Sequence, residues 1–588
     1  MNTKQITMKQ VIEKDFSPIL MGLFHNIKEN GLNLTVDGIA AYNPQAQFVG
    51  GMVINSACYT ALELIRFDSE LKNLGSMIRM VSSMEMRTWG ILNSLRGLYR
   101  LSQHNLLHSV IDEETYQFLQ HTLDWRTFVD EENNYALINK PTNYYGVAFG
   151  IARYRELLAW EPDGHSIQLL NRFLAHIQQF SGELGYMDET PGEGRFDRYT
   201  IVTPGEITAL LLATGMEVPD KIREMLRKSC KIALQLANED GNGFPYGRSS
   251  GAYGDTGILE VFSAAAKLGG ILTEDELEVA YAYSIKIMQK IAKFWYDQET
   301  KAVNLWDKGR KTDHYRNKNR ILSETISICM HVIDSYEQWK CAGFEERMAC
   351  DNYMEMLNNL SPYTYVSFSD DLYKRSLAII RDGKQIWTLP FVSGGKQYYH
   401  KDAYLPIPFQ TNVIEYVPEC SHGQLTPQLI TENGDIYMPL AYTTHITPNM
   451  EKNKMTLTCE YDGLCKMGCV APEKVNSAKA IITYTFEKNQ IRREDRWILN
   501  LESNIKEIRM AFLTYSDEAQ LSANKINFGN GIVQSIQANG FETCHIIEAL
   551  DDGNYDTSHG RLKHKIVWCN DKLDTSSELC FDWTITYK

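Results

Sequence analysis

The sequence predicts an α+β protein of two parts, an N-terminal (α/α) toroid of helical hairpins followed by an antiparallel β-sandwich. Three observations predict this fold class. The chain has 588 residues, which is too long for one compact core. Apolar residues recur at helical spacing until about residue 360. Short β-branched and aromatic runs bounded by turn residues follow. We therefore expect domains at 1–360 and 361–588.

The N-terminal part contains many amphipathic or apolar segments of helical length. Examples are 75–101 (GSMIRMVSSMEMRTWGILNSLRGLYRL) and 274–296 (EDELEVAYAYSIKIMQKIAKFWY). Helix starts are predicted at Thr273, which precedes two glutamates, and at Ser323. Roughly a dozen such helices, joined by Gly- and Pro-bearing loops, form an array of hairpins. Hairpins in this number can close into an (α/α) toroid, whose loops at one end surround a concave site.

The residue pattern of the C-terminal part predicts short strands. Runs such as 363–369 (YTYVSFS) and 580–588 (CFDWTITYK) are rich in aromatic and β-branched residues. The segment 381–385 (RDGKQ), between two apolar runs, predicts a hairpin turn. Several such strands in succession predict two antiparallel sheets packed as a sandwich. No low-complexity linker separates the two parts, so a cleft is expected near their junction.

Composition limits the functional classes. The net charge is −15, and no Lys/Arg cluster is interleaved with aromatic residues, which argues against a nucleic-acid partner. No stretch has the length and apolarity of a membrane span and no secretion signal is visible, so we expect no membrane partner and a cytoplasmic location. The charge and composition leave the oligomeric state open.

The twelve cysteines are scattered through predicted helices and strands, as reduced, buried thiols would be. Cys465 and Cys469, with Cys459 nearby and Cys420 beside His422, permit a metal site. A C-x3-C spacing without a second matched pair favours buried thiols instead. The sequence thus points to no particular metal or cofactor, and it leaves a metal requirement undecided.

A glycine-rich stretch between two predicted helices, 240–257 (DGNGFPYGRSSGAYGDTG), is the most informative local feature. Glycine costs backbone entropy and is kept where the chain turns sharply or approaches a ligand closely. Arg248 and Tyr253 lie within this stretch, five residues apart. The stretch is therefore either an elaborate turn or part of an active site.

Three segments resemble motifs of the toroid-type polysaccharide lyases, the group of hyaluronate, chondroitin AC and heparinase enzymes. The segment SGAYGDTGILEVFSAAAKL resembles their GAYG segment, and NYYGVAFGIAR, from Asn143, resembles their NWW segment. DHYRNKNR follows in the same order with Arg316 and Arg320. The resemblance implies that Tyr253 transfers a proton, that Asn143 contacts a substrate carboxylate, and that an arginine follows. The family's histidine has no counterpart in the tyrosine segment.

The chemistry of β-elimination next to a uronate carboxylate asks for these residue types. A side-chain amide, a protonated acid or a guanidinium must hold the carboxylate and stabilise the charge that accumulates on it, and a base must remove the neighbouring proton. Arg248 is close enough in sequence to lower the pKa of Tyr253. The candidate catalytic residues are Tyr253, Asn143, Arg248 and His314. The candidate substrate-binding residues are Arg198, Tyr199, Tyr144, Tyr246, Arg316, Arg320 and His400. We expect these residues to share one concave face.

The sequence also permits structural roles for these residues and two other functional classes. Tyr253 can simply pack a turn, Asn143 can cap a helix, and lone loop histidines such as His314 and His400 are often structural. The leading hypothesis is a lyase acting on imported oligosaccharides that contain uronic acid. The first alternative is an (α/α)-toroid glycoside hydrolase, which needs two carboxylates. Its candidates are Asp188, Glu189, Glu193, Asp240 and Asp255. The second alternative is a glycan-binding protein without catalysis.

Overall fold

A computed structural model describes most of the chain. The described residues are 6–33, 35–36, 38–42, 47–306, 318–395, 404–414, 424–468, 473–476, 478–500, 505–548, 555–557, 559–570 and 578–588. The predicted order, helical first and antiparallel β second, is confirmed by the elements within these residues.

The helices all precede the large sheets. The α-helices among the described residues are α1 Met8–Val11, α2 Ser17–Asn30, α3 Val49–Tyr59, α4 Asp68–Ser82, α5 Trp89–Gln103, α6 Leu107–Val110, α7 Glu113–Thr122, α8 Tyr144–Leu157, α9 His165–Ser181, α10 Tyr199–Ala213, α11 Asp220–Leu236, α12 Ala252–Leu268, α13 Glu274–Lys290, α14 Ile321–Cys341 and α15 Tyr353–Asn358. Three two-stranded ladders interrupt them: β1 Thr35–Val36 with β2 Ile39–Ala40, β3 Val129–Asp130 with β4 Ala136–Leu137, and β5 Tyr296–Asp297 with β6 Ala302–Val303.

Local sequence explains several helix starts. Thr273 accepts a hydrogen bond from the backbone N–H of Glu276, and the Glu276 side chain accepts one from the backbone N–H of Thr273, which is a capping box at the predicted position. The start predicted at Ser323 is wrong by two residues, since α14 begins at Ile321. The Ser323 hydroxyl donates to the Arg320 carbonyl oxygen instead of accepting from the helix, so it does not cap.

Six helices pack against one another in cyclic order. The order is α3, α5, α8, α10, α12 and α14, and α14 also packs against α3, so the six close into a ring. α10 and α12 are buried on nearly all sides, as expected for helices that are apolar all round. α11 is amphipathic and packs against α10 and α12. α4, α9 and α13 likewise each pack against a helix of the ring.

The C-terminal part consists of antiparallel sheets. Its strands are β7 Tyr363–Ser369, β8 Arg375–Asp382, β9 Gln385–Phe391, β10 Gln428–Thr431, β11 Ile436–Met438, β12 Thr443–Glu451, β13 Lys454–Tyr461, β14 Leu464–Lys466, β15 Glu473–Val475, β16 Ala478–Glu487, β17 Gln490–Leu499, β18 Ile505–Thr514, β19 Ala519–Ser522, β20 Lys525–Phe528, β21 Val533–Asn539, β22 Thr543–Glu548, β23 Asp556–Thr557, β24 Gly560–Arg561, β25 His564–Asn570 and β26 Glu578–Tyr587. The predicted hairpin at 381–385 is confirmed by the pairing of β8 with β9, where Asp382 lies opposite Gln385.

Two of these sheets are large. One has eight strands in the order β12-β13-β16-β17-β26-β21-β20-β19, and the other has seven in the order β15-β14-β11-β10-β18-β25-β22. Burial alternates along β16 and β17, so one face of the larger sheet is covered. From that sheet Arg493 and Trp583 both donate to the carbonyl oxygen of Leu425, just before β10. Buried side chains therefore join the two sheets.

The three-stranded sheet β7-β8-β9 joins the β part to the helical part. Arg375 on β8 donates to the Gly194 carbonyl oxygen at 2.7 Å, and Arg381 on the same strand donates to the Ala237 carbonyl oxygen at 2.8 Å. A Cβ at Gly394 would lie 2.4 Å from the backbone of Gly194. The two backbone segments are therefore in contact there, with no room for a side chain. The loop before α10 is thereby clamped to the β part.

None of the helices in the described ranges combines the length and the apolarity that crossing a membrane requires.

Candidate functional site

A cavity of about 360 Å³ lies where the six ring helices begin. Each ring helix contributes side chains from its first turns, so six helix N-termini surround one space. The positive ends of six helix dipoles therefore face this space and favour negative charge there. The lining residues that the site uses are Trp89, Arg96, Tyr144, Arg198, Tyr199, Glu206, Arg248, Tyr253, Glu260, Arg320, His331 and Asp334.

The polar side chains around the cavity form two layers along the helix axes. On each of four ring helices, one residue of the first layer is followed seven positions later by one residue of the second. Seven residues are two helical turns, so each pair lies on one helix face about 10 Å apart along the axis. The pairs are Trp89 with Arg96, Tyr199 with Glu206, Tyr253 with Glu260, and Glu324 with His331. We call Trp89, Arg198, Tyr199, Arg248, Tyr253, Arg320 and Glu324 the mouth tier. We call Arg96, Glu206, Glu260, His331 and Asp334 the inner tier.

Tyr253 lies in the mouth tier with its hydroxyl next to a carboxylate. Its hydroxyl donates a hydrogen bond to Glu324 Oε2. Arg320 Nη2 lies 2.9 Å from the other oxygen of that carboxylate, Oε1. The His331 ring meets the Tyr253 ring edge-on, with 5.9 Å between the ring centroids. The tyrosine hydroxyl thus has a carboxylate to receive its proton, and a guanidinium holds that carboxylate.

Arg198 ties the glycine-rich segment to the start of α10. Its Nε donates to the Arg248 carbonyl oxygen at 3.0 Å, and its Nη1 donates to the Tyr253 carbonyl oxygen at 3.1 Å. Burial by itself lowers the pKa of Arg198, but Tyr199 and nearby carboxylates outweigh it and raise that pKa. The segment that carries Arg248 and Tyr253 is therefore fixed by a cation that stays charged.

Tyr199 lies between two guanidinium groups. The Arg198 and Arg248 guanidinium carbons are each 4.4 Å from the centroid of its ring. Arg248 also forms an ion pair with the fully buried carboxylate of Glu189, which in turn lies 2.9 Å from Arg195 Nη2. Moving the Arg248 guanidinium away would take one partner from the buried charge of Glu189, which is costly. The ion pair therefore restrains Arg248.

The β part reaches this site through Tyr404. The Tyr404 hydroxyl donates to Asp197 Oδ2 at 3.0 Å and accepts from the Arg248 backbone N–H at 3.0 Å. Burial raises the pKa of Asp197, and the charges of Arg195 and Arg198 oppose that rise. The geometry of the mouth tier therefore depends on the packing of the β part on the helical ring.

The inner tier contains two ion pairs and one further carboxyl group. His331 Nδ1 lies 2.8 Å from Glu260 Oε1, and Arg96 Nη1 lies 3.3 Å from Asp334 Oδ2. Burial lowers the pKa of His331, but Glu260 outweighs it and the pKa rises. Among the described residues, none forms a hydrogen bond or an ion pair with Glu206. Burial, followed by the charge of Glu260, raises the pKa of Glu206 to about 7.

The structure brings together some of the candidate residues and separates others. Tyr144, Arg198, Tyr199, Arg248, Tyr253 and Arg320 line the cavity. Tyr246 is fully buried and does not line it, and burial raises the pKa of its hydroxyl. His314, Arg316 and His400 lie outside the described residues.

Asn143 occupies the position immediately before α8, next to Tyr144. It is buried and does not line the cavity itself. Its side chain makes no capping hydrogen bond, so the alternative cap role is wrong although the residue sits at the cap position. Its Oδ1 atom is buried without a hydrogen-bond partner among the described residues. The neighbouring Thr142 backbone N–H donates to the Glu189 carbonyl oxygen, which links this corner to the Arg248 network.

The loop carboxylates considered for a hydrolase do not line this cavity. Asp188 accepts hydrogen bonds from the backbone N–H groups of Gly194 and Arg195, and it fixes its own loop. Asp255 accepts from Trp295 Nε1 and lies 2.8 Å from Lys290 Nζ. Asp240 lines a separate cavity of about 120 Å³ between the two parts of the protein.

Sequence reasoning missed the inner tier and Glu324. Glu206 and Glu260 lie in apolar helical runs, TIVTPGEITALLLA and GILEVFSAAAKL, where a lone charge is unexpected. A charged residue inside an apolar helical run is the sequence feature that could have indicated these two positions. His331, the partner of Glu260, comes from α14, which begins more than sixty residues after α12 begins.

In the part of the chain that the structure describes, no three His, Cys, Asp or Glu side chains are grouped so as to hold a metal ion. Cys459 and Cys465 are buried thiols, and the Ala441 backbone N–H lies 3.4 Å from Cys465 Sγ. Cys420, His422 and Cys469 fall outside the described ranges.

No protein-family model matches the sequence, and no curated protein matches it. Solved structures similar to the chain include polysaccharide lyases of the group that the motifs resemble. A heparan sulfate lyase from Pedobacter heparinus has 9% identity and a TM-score of 0.29, over 99% of this chain and 93% of its own. A chondroitinase AC lyase has 10% identity and a TM-score of 0.31, over 96% and 82%. A family 88 glycosyl hydrolase from Bacteroides vulgatus has 10% identity and a TM-score of 0.36, over 56% and 99%.

Proposed function

We propose that the protein is a lyase that cleaves glycans containing uronic acid by β-elimination, with Tyr253 transferring the proton. The observation that carries the proposal is the position of the Tyr253 hydroxyl. It lies in a cavity lined by Arg198, Arg248 and Arg320, and it donates to the carboxylate of Glu324. The ring of six helices is, in this proposal, the (α/α) toroid that the sequence predicts.

Elimination moves one proton and breaks one carbon–oxygen bond. Tyr253 removes the proton from the carbon next to the uronate carboxylate, while its own phenolic proton passes to Glu324. The electrons of the broken carbon–hydrogen bond form a carbon–carbon double bond, and the glycosidic oxygen leaves. The phenol then protonates the departing oxygen, and Glu324 returns the proton to the phenolate. Each group ends in its starting state, so no outside acid or base is consumed.

The uronate carboxylate must be neutralised for this reaction, because negative charge builds up on it as the proton leaves. Arg198 suits this task, since it bonds to two carbonyl oxygens and has no ion-pair partner within 4 Å among the described residues. Arg248 and Arg320 add positive charge, although each already pairs with a carboxylate. The six helix N-termini around the cavity favour an anion in the same place.

The direct test is Tyr253→Phe, with Tyr199→Phe as its matched control in the same tier. Each change removes one phenolic oxygen from the cavity and keeps the ring. We expect Tyr253→Phe to lower kcat by about 100-fold or more, because proton transfer belongs to the transition state, and to leave oligosaccharide affinity nearly unchanged. Tyr199→Phe retains most of kcat. The measurement is ultraviolet absorbance of the unsaturated uronate, over a panel of uronate oligosaccharides.

Near-normal kcat in Tyr253→Phe on a cleaved substrate would remove the tyrosine from the mechanism. Binding without any turnover across the panel would favour a glycan-binding protein. The proposal extends to imported fragments handled in the cytoplasm, which localisation of a tagged full-length chain tests.

Hydrolysis remains the second candidate, because two carboxyl groups of different character line the cavity. Glu206 has a pKa raised to about 7 by burial, whereas Glu260 is paired with His331. One protonated and one ionised carboxyl group are what glycoside hydrolysis requires. Hydrolysis yields a saturated product with no new absorbance, so the same panel separates it from elimination when reducing ends are also counted.

A further inference from the structure

One carboxyl group of the inner tier, that of Glu206, is not bonded to any of the described residues. Two of the tier's three carboxylates are paired, Glu260 with His331 and Asp334 with Arg96. Glu206 lines the cavity without a hydrogen-bond or ion-pair partner among the described residues. A partly buried carboxyl group without a partner is costly to retain for stability alone. Its environment indicates that it meets a ligand.

A smaller chamber of about 50 Å³ adjoins the main space of about 360 Å³. It shares Trp89 of the mouth tier and all five inner-tier residues with the main space. Leu210 and Gln338 line the chamber further along α10 and α14. A glycan chain cannot be threaded through so small a space. A chain that extends along the helix axes from the mouth tier to the inner tier therefore ends there.

The charges of the two tiers differ. The mouth tier carries Arg198, Arg248 and Arg320, and it suits a carboxylate. The inner tier combines three carboxyl groups with two cations, both of which are already paired. A sulfate or carboxylate there would face Glu206 with no unpaired cation of that tier to meet it. Hydroxyl groups of an uncharged sugar can instead donate to the Glu206 carboxyl oxygens.

We propose that the inner tier is a subsite for one terminal, uncharged sugar unit whose hydroxyls donate to Glu206, so that the protein attacks glycan chains from the end. This rests on the proposed function for the position of the cleaved uronate at the mouth tier. The two tiers are about 10 Å apart along the helices, which separates the uronate from the inner unit. Glu206 is then a specificity-determining residue that rejects a charged terminal unit.

The binding test uses two oligosaccharides that differ only by a sulfate on the terminal unit. Affinity is measured by titration calorimetry well above pH 7, where the Glu206 carboxyl group is ionised, and in a Tyr253→Phe background, so that turnover does not interfere. We expect the unsulfated ligand to bind at least roughly tenfold more tightly, since placing like charges together is costly. Glu206→Gln in that background should reduce the preference to within about threefold, and Glu206→Asp should retain it. Glu239→Gln, a carboxyl group near Lys384 at the separate cavity, is the matched control.

The cleavage test uses the unaltered protein and a long chain labelled at one end and then at the other. Attack from the end releases only short terminal fragments at early times, and blocking that terminus with a bulky group stops the reaction. Fragments of all lengths at early times would overturn the end-on subsite.

Two results separate this inference from the proposed function. Elimination products with an unchanged sulfate preference in Glu206→Gln would overturn the subsite and leave the lyase standing. A preference that Glu206→Gln removes, without any unsaturated product from the unaltered protein, would overturn the lyase and retain the binding role. Equal loss of turnover on both ligands in Glu206→Gln, at unchanged affinity, would make Glu206 catalytic and overturn the subsite.

Discussion

Glu206→Gln is expected to stabilise the protein in a strictly pH-dependent way. Burial, followed by the charge of Glu260, raises the pKa of Glu206 from 4.5 to about 7. The unfolded chain releases this proton near 4.5, whereas the folded protein keeps it until about 7. Folding therefore takes up a proton between these values, and the free energy of unfolding falls as the pH rises from 4.5 through 7. Glutamine stays neutral throughout, like the protonated acid.

The size of the effect follows from the two pKa values. Each pKa unit is worth about 1.4 kcal/mol, so the rise from 4.5 to about 7 corresponds to about 3 kcal/mol. Glu206→Gln should match the unaltered protein below about pH 4.5 and exceed it by about 3 kcal/mol above about pH 7. The gain is larger than most surface substitutions give, because the group lies among the inner-tier charges and not in open solvent.

The assay is urea unfolding at a series of pH values, in which the difference between variant and unaltered protein is plotted against pH. Glu239→Gln is the control, since its carboxyl group is paired with Lys384 on the outside and should change stability by under about 1 kcal/mol at every pH. Parallel pH profiles for Glu206→Gln and the unaltered protein would refute the reasoning. So would a variant that is less stable above pH 7, because Glu206 would then be a favourably bonded carboxylate.

Two further substitutions test the network behind the mouth tier. Arg248→Ala should destabilise the protein by about 3 kcal/mol, because it leaves the fully buried Glu189 with Arg195 alone, and adding Glu189→Gln should recover part of the loss in urea unfolding. A loss that the second change does not reduce would contradict the charge argument. Asn143→Ala should cost less than the roughly 1 kcal/mol of a lost helix cap in urea unfolding, because its side chain makes no capping bond. A full cap-sized loss would contradict this.

Local pattern accounts for what the sequence predicted well. The hairpin at 381–385 and the capping box at Thr273 depend on a few neighbouring residues, and both are confirmed. The start of α14 was misplaced at Ser323 because the serine hydroxyl bonds backward to the Arg320 carbonyl oxygen. A capping residue type shows that a helix end is near, and the competing backbone acceptor decides its position.

The sequence by itself determined the order of helical and β parts, because the period of apolar residues is a property of neighbouring positions. It also determined the glycine-rich segment with Arg248 and Tyr253, since glycine marks backbone requirements locally. Only the tertiary structure decided that Tyr253 meets Glu324, that Arg248 meets Glu189, and that an inner tier exists. These contacts join helices far apart in the chain, and a single helix does not reveal which of its faces turns toward the centre of a ring. Long-range packing fixes that choice.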